Sequence, residues 1–119
     1  MASATKRKLS SSINGRGIKI DTVATPGTLL HTAVAGITPG TFDEIWLFAY
    51  NGDIANRLVT FEFGGASVPD DNIGATVAYQ SGLMLIVPGL ILQNGCEVRA
   101  FAGASGTVSV FGFVNSIMD

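Results

Sequence analysis

The sequence is short of charge. Charged residues make up 13% of its 119 residues, against about a quarter in an ordinary soluble domain. A body so poor in charge is expected to turn part of its surface toward a partner rather than toward water. Cysteine is nearly absent, and the single Cys96 excludes an intrachain disulfide and any cysteine-rich zinc site. His31 is the only histidine. It sits among apolar neighbours in Leu29-Leu30-His31-Thr32-Ala33, where a hydrogen-bonded structural role is favoured over that of a base. Long hydrophobic runs are missing too. The main apolar run is the ten residues Leu83 to Leu92, with Ser81 and Gln93 the nearest polar side chains, and Pro88-Gly89 divides it. A spanning helix needs about 20 apolar residues, so this run is expected to be core or interface.

Enzyme signatures are equally sparse. No Gly-x-Ser-x-Gly elbow occurs. Cys96 follows Gly95 at a turn, with no neighbour that would activate a thiol. Asp43 and Glu44 are adjacent on a candidate strand and point to opposite faces, which makes them a poor acid–base pair. Asp70 and Asp71 lie in Pro69-Asp70-Asp71-Asn72, where capping a turn is the ordinary role and the further ligands of a calcium site are missing. Gly64-Gly65 and the Ile13 to Gly17 stretch are glycine-rich but lack the strand-to-helix setting of a phosphate loop. The expectation is a chain without a catalytic site, without a metal and without a cofactor.

What is present is strand-forming sequence. Apolar and polar residues alternate, and turn signals recur about every 8 to 14 residues, as in sandwiches and barrels. The pattern predicts strands over 17–24, 28–34, 43–51, 57–63, 73–79, 83–87, 96–102 and 107–115, with a Pro-Gly turn after the sixth and a short piece at 90–92. The 15 glycines and four prolines are scattered through the body and disfavour long helices. Eight short strands and no helix give an all-β fold, an antiparallel two-sheet sandwich. Jelly-roll topology fits that strand number, and an immunoglobulin-like sandwich is the runner-up.

Charge is also unevenly placed. Lys6, Arg7, Lys8, Arg16 and Lys19 precede the first acid, Asp21, so residues 1–20 carry +5. From Asp21 onward nine acids face only Arg57 and Arg99, which leaves −7. Residues 1–16 are read as a basic, flexible, extended N-terminal arm and residues 17–119 as the sandwich domain. The opening MASATKRKLSSSINGRG has no apolar segment of the kind a secretory signal needs, so synthesis in a reducing cytoplasm is expected.

Two strands are apolar on both faces. Asp43–Asn51 puts Ile45, Leu47 and Ala49 on one side and Trp46, Phe48 and Tyr50 on the other. In Thr107–Asn115, Val108, Val110 and Val114 oppose Phe111 and Phe113. A sandwich has one interior and needs one apolar face per strand. The surplus faces are expected to bind a partner, and Leu83–Val87 is read in the same way. Exposed aromatics can also serve as platforms for sugars, which keeps a carbohydrate- or receptor-binding module open as the alternative.

Several stretches taken in order carry a resemblance. They are Ile13-Asn14-Gly15-Arg16-Gly17-Ile18-Lys19, Leu30-His31-Thr32-Ala33, Asp43 through Asn51, Phe63-Gly64-Gly65 with Pro69-Asp70-Asp71, Leu85-Ile86-Val87-Pro88-Gly89, Val98 through Ala102, and Gly112-Phe113-Val114-Asn115. Together, over roughly residues 13 to 117, they resemble small virion structural proteins of tailed bacteriophages, and among these the capsid decoration, or cement, proteins. The resemblance implies a small sandwich, often a jelly roll, on the exterior of the virion. Such a module clamps neighbouring major capsid protein subunits without a cofactor or turnover. It implies a homo-oligomer, a dimer ahead of a trimer; no membrane partner is expected, and nucleic-acid binding by the basic arm is a third, weaker reading. The arm residues Lys6, Arg7, Lys8, Leu9, Ile13, Arg16 and Ile18 are then the expected capsid contacts. Trp46, Phe48, Tyr50, Phe111 and Phe113 are the expected oligomer or capsid interface. The alternative under the same resemblance is a binding module of a phage tail or fibre.

Overall fold

A computed structural model describes residues 3–119. It contains nine strands: β1 (Ser3–Lys8), β2 (Ile18–Lys19), β3 (Thr28–Thr32), β4 (Phe42–Asn51), β5 (Arg57–Phe63), β6 (Asn72–Val77), β7 (Met84–Leu92), β8 (Glu97–Ala102) and β9 (Val108–Met118). All ladders are antiparallel. One sheet, here sheet A, runs β1-β9-β4-β7 with β2 also on β9, and the other, sheet B, runs β3-β8-β5-β6. β1 covers Phe113–Met118 of β9 and β2 covers Ser109–Val110, so the two behave as one interrupted strand. Counted so, the eight strands read 1-8-3-6 in one sheet and 2-7-4-5 in the other. That order is a jelly roll of two interleaved Greek keys, and it replaces the immunoglobulin-like alternative.

The alternation in sequence becomes alternation in space. Along β4 the residues Asp43, Ile45, Leu47, Ala49 and Asn51 are buried, while Phe42, Glu44, Trp46, Phe48 and Tyr50 are half-buried on the outer side. β9 does the same, with Val108, Val110 and Val114 inward. The core between the sheets is aliphatic, built from side chains such as Ile45, Leu47, Val59, Val87 and Val98, and Phe61 is the one aromatic ring fully inside it. Gly112 lets β9 approach β4, because a Cβ there would stand 2.1 Å from the Trp46 carbonyl oxygen.

The strand expected over 17–24 shortens to Ile18–Lys19, and two other expectations change in kind. Residues 83–92 do not form two short pieces around a turn. They form one strand, β7, which passes through Pro88-Gly89 with register shifts against β4 on either side of the Trp46–Leu47 pairs. Gly89 takes φ +78° there, and a bulge absorbs the break that a turn was expected to make. The second change concerns the N-terminal segment. It is extended, but residue 16 does not divide an arm from a body. Ser3–Lys8 lies on β9 as a sheet strand with all six side chains exposed. Leu9 and Ile20 sit in the chain's own core and Ile18 packs against it, while Ile13 is exposed. Ser-Ala-Thr-Lys-Arg-Lys has no apolar side chain larger than alanine, so hydrogen bonds to β9, not burial, make it a strand.

Candidate interaction face

The side chains expected at an interface converge on one surface. Trp46, Phe48 and Tyr50 of β4 and Phe111 and Phe113 of β9 all lie on the outer face of sheet A, in adjacent strands. Trp46 opposes Phe113 and Phe48 opposes Phe111 in the ladder. The Trp46 and Phe113 rings stack with centroids 6.0 Å apart and planes 10° from parallel. On the far side of Phe113 the Lys6 ammonium stands 4.3 Å from the ring centroid, a cation–π contact from β1. On the far side of Trp46 comes Gly89 of β7, where a Cβ would lie 2.9 Å from the indole. A single row, Lys6–Phe113–Trp46–Gly89, therefore crosses all four strands of the sheet.

Polar groups lock this row. The indole N–H of Trp46 donates to Glu44 Oε1 at 2.8 Å, and Asn115 Nδ2 donates to the same oxygen at 3.0 Å. The Trp46 bond, and after it the Asn115 bond, hold the Glu44 carboxyl below its usual range. The indole is flanked by Phe113 on one side and by Gly89 on the other.

β7 extends the apolar surface to the sheet edge. Leu83, Met84, Leu85, Leu90 and Ile91 are each at least 40% exposed. Leu85 and Ile91 oppose Phe48 and Glu44 and so share the aromatic face. The sequence marked this run as apolar on both sides. What it did not reveal is that β7 is an edge strand, since strand order is a property of topology.

The arm residues are spread more widely. Lys6 and Lys8 share the outer face of sheet A with Phe113, whereas Arg7 opposes Val114 on the core side. Arg16 is exposed in the loop between β1 and β2, where its backbone N–H donates to Ile13 O at 3.0 Å.

A buried polar cluster lies between the sheets at one end. Asp43 of β4 accepts from His31 Nε2 of β3 at 2.6 Å, from Ser116 Oγ of β9 at 2.6 Å and from the Val34 backbone N–H at 3.2 Å. His31 Nδ1 accepts from the Ser10 N–H at 3.0 Å, which assigns the ring proton to Nε2. The cluster contains a serine, a histidine and an aspartate, but the serine bonds the carboxylate rather than the imidazole. With neither ring nitrogen facing a hydroxyl, the arrangement ties the two sheets together and lacks a serine–base contact. Asp43 and Glu44 face opposite sides of β4. Asp71 accepts from the Ser67 N–H at 3.1 Å within its turn.

Glu62, unmarked in the sequence, is also buried. It receives the Thr25 hydroxyl at 2.5 Å and the Gly27 N–H at 2.7 Å, and so fixes the loop before β3 against sheet B. Comparison with family models, with curated proteins and with solved structures finds no match.

Proposed function

We propose that this chain is a structural, non-enzymatic component of a bacteriophage virion that binds the exterior of the capsid and clamps neighbouring major capsid protein subunits. The observation that carries the proposal is the outer face of sheet A. Five aromatic rings of β4 and β9 lie together there with Leu85 and Ile91 of β7, outside a largely aliphatic core. A rigid aromatic patch has the composition of an interface centre, because large rings bury much area and lose little side-chain entropy. The resemblance of the sequence to capsid decoration proteins supplies the kind of partner, and the jelly-roll topology is compatible with it. Mechanically, such a module needs only to bury surface on subunits that packed DNA pushes apart.

Co-sedimentation with shells of the parent phage that lack this chain tests the reading. The wild-type protein should saturate the shells at a fixed copy ratio. Leu85→Asp with Ile91→Asp, both at exposed positions, should fold normally and fail to saturate. Equal binding by the variant, or no binding by the wild type, would remove the support for this face as the docking surface.

A further inference from the structure

A second surface lies at the opposite edge of sheet A. The four sheet edges are not equivalent. β3 is covered by the loop after β1, through Ser11 N–H to Leu30 O at 3.1 Å and Thr32 N–H to Ser10 Oγ at 2.8 Å. β7 is interrupted by Pro88 and by its register shifts. β6 carries Gly74 in its middle, and its last carbonyl, Val77 O, already accepts from Asn51 Nδ2 at 2.9 Å. β1 alone is regular, with Ser3–Lys8 in unbroken register on Phe113–Met118, and among the described residues nothing pairs with its other side.

The charge on that edge is one-signed. Among the described residues, no carboxylate oxygen lies within 4.0 Å of the cationic nitrogens of Lys6, Arg7 or Lys8; the ion pairs are Lys19–Asp21, His31–Asp43, Arg57–Asp53 and Arg99–Glu97. Beside β1, between the two sheets, opens a cavity of about 540 Å³ lined by Arg7, Lys8, Ser10, His31, Thr32 and Ser116, among others. The one carboxylate at its wall, Asp43, is already engaged by three donors.

We propose that the free edge of β1 and the cavity beside Arg7 together form a docking groove for an extended, acidic peptide segment of a partner protein, added to sheet A as a further strand. Unpaired backbone groups of an edge strand recruit an extended chain, and side-chain complementarity then selects which chain. Lys6, Arg7 and Lys8 alternate across the strand. An acidic strand laid beside them meets a cation on each face, and Arg7 offers a planar fork for a carboxylate entering the cavity. The same charges reject a second copy of β1, whose Lys-Arg-Lys run would lie alongside its like. The groove lies at the edge of sheet A away from β7 and adjoins the aromatic face only through Lys6 and Lys8, and its test needs no capsid.

The test uses the full chain and a capped synthetic peptide of about eight residues that alternates aspartate with valine or threonine. Binding should slow amide hydrogen exchange within Ser3–Lys8. A version with proline at its centre should bind at least about tenfold more weakly, having lost ladder bonds. Lys6→Glu/Arg7→Glu/Lys8→Glu changes only exposed side chains. It should weaken the acidic peptide by about tenfold or more and favour the matching lysine peptide. The proposal is overturned if the proline peptide binds as well as its parent. It is also overturned if duplex DNA of equal charge competes fully and gives no protection in β1, which would mark a diffuse cationic patch.

Discussion

Asp43 is the residue on which the two sheets most depend. It is 2% exposed and collects donors from β3, β9 and the segment after β3. Asp43→Ala would leave two buried donors and the part-buried Val34 N–H without an acceptor, and a loss of about 3 kcal/mol or more is expected from urea unfolding. The double variant with His31→Leu should cost less than the sum of the singles, since the two share one interaction. Additive losses would show the pair to be independent. Glu44, next in sequence, makes a prediction about pH. Its carboxyl is held low by Trp46 first and Asn115 second. A carboxyl whose pKa falls on folding adds stability above its unfolded pKa, and that stability is lost as pH drops through the lowered folded value. By NMR titration the Glu44 pKa should rise in Trp46→Phe and rise less in Asn115→Ala. An unchanged value in Trp46→Phe would contradict the hydrogen-bond account.

At the scale of elements, the guarded edge of β7 is the feature to test. Its side chains are apolar and exposed, and an edge strand of that kind invites pairing between molecules. Pro88 removes a backbone donor from its centre and the neighbouring bulge bends the ladder. Pro88→Val should therefore increase self-association in sedimentation velocity at rising concentration, with little change in secondary structure. A profile identical to wild type would mean that the proline does not guard the edge. The same strand shows where sequence reading stops. The ends of β4 and β5 were legible to within a residue, because β4 alternates without a break and both stop at glycine-bearing turns. Pro88-Gly89 reads as a turn by local chemistry, and only the pairing of Leu90 and Leu92 with β4 turns it into a bulge. β1 was hidden for a related reason. A strand exposed on both faces has no apolar period, so nothing in Ser3–Lys8 separates it from a solvated tail.

At the scale of the whole molecule, the sandwich divides its hydrophobic residues into two sets. Aliphatic side chains make up most of the interior, and every aromatic but Phe61 is half-buried or exposed, with Trp46, Phe48, Tyr50, Phe111 and Phe113 together on one sheet. That five-residue cluster was visible in the sequence as surplus apolar faces on 43–51 and 107–115. Its cross-strand order, and the Lys6–Phe113–Trp46–Gly89 row that fixes it, required the jelly-roll pairing of β1, β9, β4 and β7. We propose that this face is covered in the assembled particle by a major capsid protein subunit. A cryo-EM reconstruction of the parent phage particle, at a resolution that separates strands, measures this directly. The chain is expected at a fixed copy number on the shell exterior, with Phe48, Phe111, Leu85 and Ile91 packed against a major capsid protein subunit. A chain placed in the tail, or one on the shell with the outer face of sheet A open to solvent, would contradict it.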